Sequence, residues 1–148
     1  MRTAVDFLTG NRIVNAALIA FLVAQTLKVI VVLLKYNKLD FRRLVGSGGM
    51  PSSHSSTVCA MSASVGKIYG TDSGIFAVAV VMALVVMFDA SNVRRATGEQ
   101  AKILNYIMEN WGYKKPEFVV KELKELLGHT PFEVFVGAAL GITLGVIL

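Results

Sequence analysis

Four apolar stretches constrain this chain before anything else does. Residues 15–34 (NAALIAFLVAQTLKVIVVLL) have the roughly 20-residue length of a membrane-crossing helix, interrupted by Gln25 and Lys28. Residues 74–90 (GIFAVAVVMALVVMFDA) are the strongest run, and 131–148 (PFEVFVGAALGITLGVIL) form another. Residues 53–69 (SHSSTVCAMSASVGKIY) are small and serine-rich, a span that has to pack among other helices and not against lipid. The expected fold is therefore all-α: an integral membrane helical bundle of about four spans, a single domain over residues 1–148. Composition agrees, because a chain that is 54% hydrophobic and 17% charged is too apolar for an ordinary soluble domain. The first 14 residues are mixed and no clear cleavage site follows the first run, so a removable signal peptide is not expected. The single cysteine, Cys59, lies in an apolar segment, rules out an intrachain disulfide and reads as a small core residue.

The segment 91–130 has a different character. Val93, Ala96, Ile103, Leu104, Ile107 and Trp111 recur near helical spacing between Arg95, Glu99, Lys102 and Glu109, which predicts an amphipathic helix over 92–111 lying on the membrane surface. A second short one is expected over 117–127, stopping at Gly128. If the spans alternate, Lys35, Lys38, Arg42, Arg43, Arg94, Arg95, Lys102, Lys114, Lys115, Lys121 and Lys124 share one side, against Arg2, Arg12 and Lys67 on the other. That asymmetry points to a multi-pass protein of the cell membrane with the 91–130 segment in the cytoplasm and both termini outside. The net charge of +5 suits an anionic membrane surface or anionic substrate, and no aromatic-basic motif for nucleic acid is present.

Three polar clusters fall on that same side. GGMPSSHSS (48–56) precedes the second span, DASNVRRATG (89–98) follows the third, and LLGHTPFE (126–133) precedes the fourth. Lys28 lies six residues from the end of its span, about 9 Å at the helical rise, and its stem can reach toward them. One membrane face thus gathers two histidines, several cations and two carboxylates. Hydrolysis of a phosphate ester by a histidine nucleophile needs such a set: cations for the phosphoryl oxygens, one imidazole to attack phosphorus, another to protonate the departing alcohol.

GGMPSSHS resembles the proline-serine-x-histidine motif of the type 2 phosphatidic acid phosphatases, which are related to vanadium-dependent haloperoxidases. Together with LVAQTLKV, FDASNVRRATGEQA and LKELLGHTPFEV it is similar to the small divergent branch of that superfamily, over most of residues 20–140. The resemblance implies a membrane phosphatase acting on a lipid phosphate monoester or pyrophosphate through a phosphohistidine, with no resident metal or cofactor. It implies that His129 is the nucleophile, His54 the general acid and Glu133 the carboxylate orienting His129. Lys28, Arg94 or Arg95, and the backbone around Gly49 and Ser53 would hold phosphate, with Asp89 in support. The main family keeps its arginine shortly before the nucleophilic histidine and an aspartate four residues after it. Here the arginine pair is 34 or 35 residues upstream and the carboxylate is Glu133. Lys35 and Arg42 keep the lysine-to-arginine spacing of the family's first motif without its proline, and Lys28 is favoured because it lies in AQTLK.

Structural roles compete at several of these positions. Ser52 or Ser53 can cap the second helix, Thr130-Pro131-Phe132-Glu133 is a capping box with proline at the first helical position, and Asp89 can end the third helix or pair with an arginine. Arg94 and Arg95 can anchor at the interface. Gly137, Gly141 and Gly145 form a small-residue stripe for close helix packing within or between chains. So few helices around so many cations favour a homodimer through that stripe. Two other functions stay open: a metal-dependent membrane hydrolase built on His54, His129, Asp89 and Glu133, and a non-catalytic membrane protein binding anionic lipid head groups.

Overall fold

The computed structural model describes residues 9–37, 48–110, 123 and 128–148, and it is an all-helical membrane bundle. Five helices follow in order: α1 (Arg12–Tyr36), α2 (Ser53–Tyr69), α3 (Gly74–Phe88), α4 (Arg94–Glu109) and α5 (Pro131–Ile147), with a π-helical turn (Asp89–Val93) between α3 and α4. The expected second amphipathic helix over 117–127, and the cations at 38, 42, 43, 114, 115, 121 and 124, lie outside the described residues.

Four of these helices, α1, α2, α3 and α5, start where a side chain takes free amides of the first turn, whereas α4 continues from the π turn with no side-chain cap. Asn11 accepts from the amides of Ile13 and Val14, Ser52 from Ser55, Ser73 from Phe76, and Thr130 from Glu133. Arg12–Lys35 and the unbroken helical path Gly74–Glu109 are long and apolar enough to cross a membrane by length and composition, and Pro131–Ile147 is a shorter apolar helix. The serines keep α2 out of that group, and its position explains them. It packs against α1, α3 and α5, so none of these serines faces lipid alone.

The three neighbours meet α2 with small residues. From α1 these are Ala16, Ala20 and Ala24, all fully buried, and from α3 they are Ala79 and Ala83. From α5 they are Gly137, Gly141 and Gly145, whose α-carbons lie against the carbonyls of Ser52, Ser56 and Ala60 so closely that none has room for a Cβ. The constant offset makes α5 parallel to α2. The stripe is thus used inside the chain, against the second helix, which corrects the expectation of a dimer seam there: any homodimer must use another face. Ser56 Oγ donates to the Ala20 carbonyl (3.2 Å) and Ser62 Oγ to that of Ala79 (2.9 Å), so the serines also stitch α2 to α1 and α3. Large apolar side chains point outward, among them Leu34, Val78, Leu84, Val85, Phe132 and Phe135.

The third span and the amphipathic helix form one path, where the sequence suggested two separate helices. Its 36 residues measure about 54 Å at the α-helical rise, longer than the roughly 30 Å hydrocarbon core, so α4 runs on beyond it. α4 buries Gly98 and Ala101 and exposes Ile103, Leu104, Tyr106 and Ile107. Asn105 donates to the Leu123 carbonyl (2.9 Å) and accepts its amide (3.0 Å).

Candidate active site

Because α2 and α5 are parallel, their N-termini lie at one end of the bundle, and both carry a histidine: His54 in the first turn of α2, His129 two residues before α5. Two helix N-termini point their positive dipole ends there, which favours an anion. The imidazoles face each other edge to face, with ring centroids 5.6 Å apart. His129 is 2% exposed and sits 3.4 Å through Nδ1 from Glu133 Oε2. That distance is long for a hydrogen bond, and Nδ1 and Nε2 of His129 and Nδ1 of His54 are buried without a protein hydrogen-bond partner of good geometry. Buried nitrogens left this way are costly in a merely structural role, and such contacts often tighten only when substrate binds.

Glu133 is the helix cap weighed for it, and its carboxylate also lies beside His129. Its Oε2 accepts the Thr130 amide (2.9 Å) while Thr130 Oγ1 accepts the Glu133 amide (3.3 Å), completing the capping box, and the same oxygen faces His129. Its carbonyl accepts the Ser52 amide (3.1 Å), which ties α5 to the start of α2. Between the two serines, Ser52 is the cap and Ser53 meets the cation: Lys28 Nζ donates to Ser53 Oγ (3.1 Å) in a buried contact, and Lys28 is only 2% exposed. Burial first, and then the nearby Lys28 ammonium, hold the His129 imidazole below its ordinary range, while Glu133 and the Gly49 backbone pull the other way. Gly49 thus lies near His129 at this end of the bundle.

Asp89 and Arg94 are brought together by the π turn. The Arg94 amide bonds the Asp89 carbonyl five residues back, and Arg94 Nε meets Asp89 Oδ2 at 2.6 Å. Both side chains are more than a third exposed, so the pair orients the guanidinium more than it stabilises the fold. Arg94, His129, Lys28 and Asp89 are the charges within electrostatic reach of His54. Arg95 points elsewhere: it lines a surface hollow with Ser91, Asn92, Val93, Ala96 and Glu99. The structure thus gathers His54, His129, Glu133, Lys28, Ser53, Gly49, Asp89 and Arg94 at one end and leaves Arg95 aside. Among the described residues no three of His, Cys, Asp or Glu come together as metal ligands, so the four-residue metal set is not assembled.

A model of the divergent PAP2 family matches residues 9–144. The chain belongs to that family. It is also similar to the uncharacterized membrane protein YuiD of Bacillus subtilis (strain 168), 42% identical in an alignment that covers 90% of each chain. No solved structure matches it. Membership relates the chain to a phosphatase superfamily, and the relative is likewise a membrane protein.

Sequence reasoning missed two parts of this site. Gly128 reads as a helix stop, yet its backbone lies flush on that of Arg94 and Arg95. Ala90 is merely the last residue of the third apolar run in the sequence, yet its carbonyl accepts the His129 amide (2.9 Å). One signal existed: Ser91 and Asn92 are poor residues for the middle of a helix, and their side chains turn back onto the carbonyls of Met87 (2.9 Å) and Phe88 (3.3 Å).

Proposed function

We propose that the chain is a membrane phosphatase that hydrolyses a lipid phosphate monoester or pyrophosphate through a phosphohistidine, without a metal. The observation that carries this reading is the buried His129, with Glu133 at Nδ1 and the His54 ring facing it. Glu133 at Nδ1 favours the tautomer in which Nε2 carries the lone pair. Nε2 attacks phosphorus, the N–P bond forms as the P–O bond to the alcohol breaks, and His54 gives the leaving oxygen its proton. Water then attacks phosphorus in reverse sense, His54 takes the water's proton, and the N–P bond breaks to release inorganic phosphate. Lys28 at Ser53, Arg94 on Asp89 and the N-terminal amides of α2 balance the charge on the phosphoryl oxygens.

The basic residues counted in the sequence support placing this end of the bundle at the cytoplasmic face of the cell membrane. The test is phosphate release by purified protein from a panel of lipid phosphates, with and without EDTA and orthovanadate. Activity that survives EDTA, is blocked by vanadate and disappears in His129→Ala is expected. Anionic lipid binding with no phosphate release from any substrate would make the protein a head-group binder instead, and EDTA-sensitive release would require a metal mechanism.

A further inference from the structure

Three contacts converge where the nucleophile meets the π turn. The His129 amide donates to the Ala90 carbonyl at 2.9 Å, and Ala90 is fully buried. In a regular α-helix the Arg94 amide would take that carbonyl; here it takes Asp89's, and Ala90's accepts the His129 amide. Directly before His129, Gly128 adopts φ +88°. A Cβ there would strike the Arg95 amide nitrogen and lie 2.7 Å from the Arg95 Cα and 2.8 Å from the Arg94 carbonyl carbon. Only glycine suits both the conformation and the space.

We propose that the π turn is a seat for the nucleophile and that Gly128 is a positioning residue, acting through His129. The seat sets His129 against His54 and Glu133 and, in the same turn, presents Arg94, so nucleophile and phosphate cation share one rigid origin. This also accounts for an arginine so distant in sequence serving the same histidine. The inference rests on the phosphatase reading for its catalytic meaning, but the position of the His129 ring is observable without turnover.

The chain has two histidines, so histidine-selective ¹³C/¹⁵N labelling of the full-length protein in detergent micelles reports both rings, with His54→Gln assigning them. In Gly128→Ala the His129 resonances should move and its titration should shift up toward the ordinary histidine range as the ring leaves its seat. Gly10→Ala is the control: φ is +73° but nothing lies within 4 Å of its Cβ, so it carries the backbone strain without the clash and should change neither ring. The milder Ser91→Ala/Asn92→Ala pair, which removes side-chain bonds to the turn, should move His129 in the same direction if Gly128→Ala does not fold. Phosphate release by Gly128→Ala should fall on the order of 10²-fold in kcat, as a misplacement near 1 Å costs, with KM changed far less. Unchanged His129 resonances and titration in Gly128→Ala, or in the double variant where that one does not fold, overturn the seat. Wild-type protein that releases no phosphate, and whose histidines ignore orthovanadate, defeats the phosphatase reading instead and leaves the ring measurement to decide the seat.

Discussion

Placing one methyl group on Gly141 tests the packing that holds the site together. A Cβ there overlaps the Ser56 carbonyl oxygen and lies 2.9 Å from both the Ser56 carbonyl carbon and Cα, where ordinary contact begins near 3.4 Å. The obstacle is backbone, so no side chain can swing aside, and α5 must withdraw from α2 by about 0.5–1 Å, a gap that forfeits a quarter to a half of the dispersion energy between facing atoms. Overpacking of this kind costs about 1–3 kcal/mol, and replacing a helical glycine by alanine returns up to about 1 kcal/mol of propensity. Gly141→Ala should therefore destabilise by about 1–2 kcal/mol, and Gly141→Leu by more. Gly74→Ala supplies the comparison, since nothing lies within 4 Å of a Cβ there and only the propensity gain remains. Adding Gly137→Ala to Gly141→Ala should cost less than the sum of the two, because the first substitution has already opened the seam. Reversible unfolding in mixed micelles measures each difference, and light scattering measures the mass of the protein–detergent particle. Gly141→Ala as harmless as Gly74→Ala, or a change of oligomeric mass with unaltered unfolding, would refute the intrachain seam.

Three further outcomes follow from the site. His129→Ala should abolish both turnover and trapping of phosphate on the protein, whereas His54→Ala should lose far more with alkyl phosphates than with nitrophenyl phosphate, whose leaving group needs no proton; phosphate release assays with the two substrate classes compare them. Burial and Lys28 hold His129 below its ordinary value of 6.5, and it must be neutral to attack, so activity should fall on its acid limb. Glu133→Gln removes an influence that raises the imidazole's affinity for protons and should move that limb to lower pH, while Lys28→Met removes one that lowers it and should move the limb up; pH–rate profiles read both. The unfolded chain binds the His129 proton more readily than the folded one, so this histidine's contribution to stability is present above about 6.5 and is lost as pH falls from there through the folded value. Arg94→Gln should raise KM for the lipid phosphate on the order of tenfold or more, the worth of a charged hydrogen bond, while Arg95→Gln should leave it nearly unchanged.

Periodicity and caps carried the helices well. The second helix was expected over 53–69 and occupies Ser53–Tyr69, because Ser52 caps its start and Gly70, at φ +84°, ends it. The histidine pair was legible too, since both lie in short polar stretches at helix starts. The partner of the glycine stripe was not legible: spacing of four tells which residues share a face but not what that face meets. The choice between Arg94 and Arg95 was closed to sequence for a related reason. Neighbouring helical residues point about 100° apart, and which one faces the site depends on the register left by the π turn, whose i→i+5 bonding has no periodic signature. Gly128 looked like a stop because a glycine after a leucine-rich segment satisfies that rule whether or not another backbone passes beneath it.

The serine-rich second helix looks like the weakest membrane segment when read alone, yet the site depends on that weakness. In lipid, helices gain little from burying apolar area against one another, so close backbone approach has to supply the packing. A leucine-rich α2 would hold its neighbours farther off; a helix of serine and alanine admits the alanines of α1 and the glycines of α5 at contact distance. That closeness lets Lys28 reach Ser53 from inside α1 and aligns the α5 N-terminus with that of α2, so that His129 stands over His54. Burying an ammonium is expensive. On the proposed phosphatase reading that cost has a function: two helix N-termini and Arg94 lie at the same end as the ammonium, an arrangement that would suit the negative charge of a phosphoryl group.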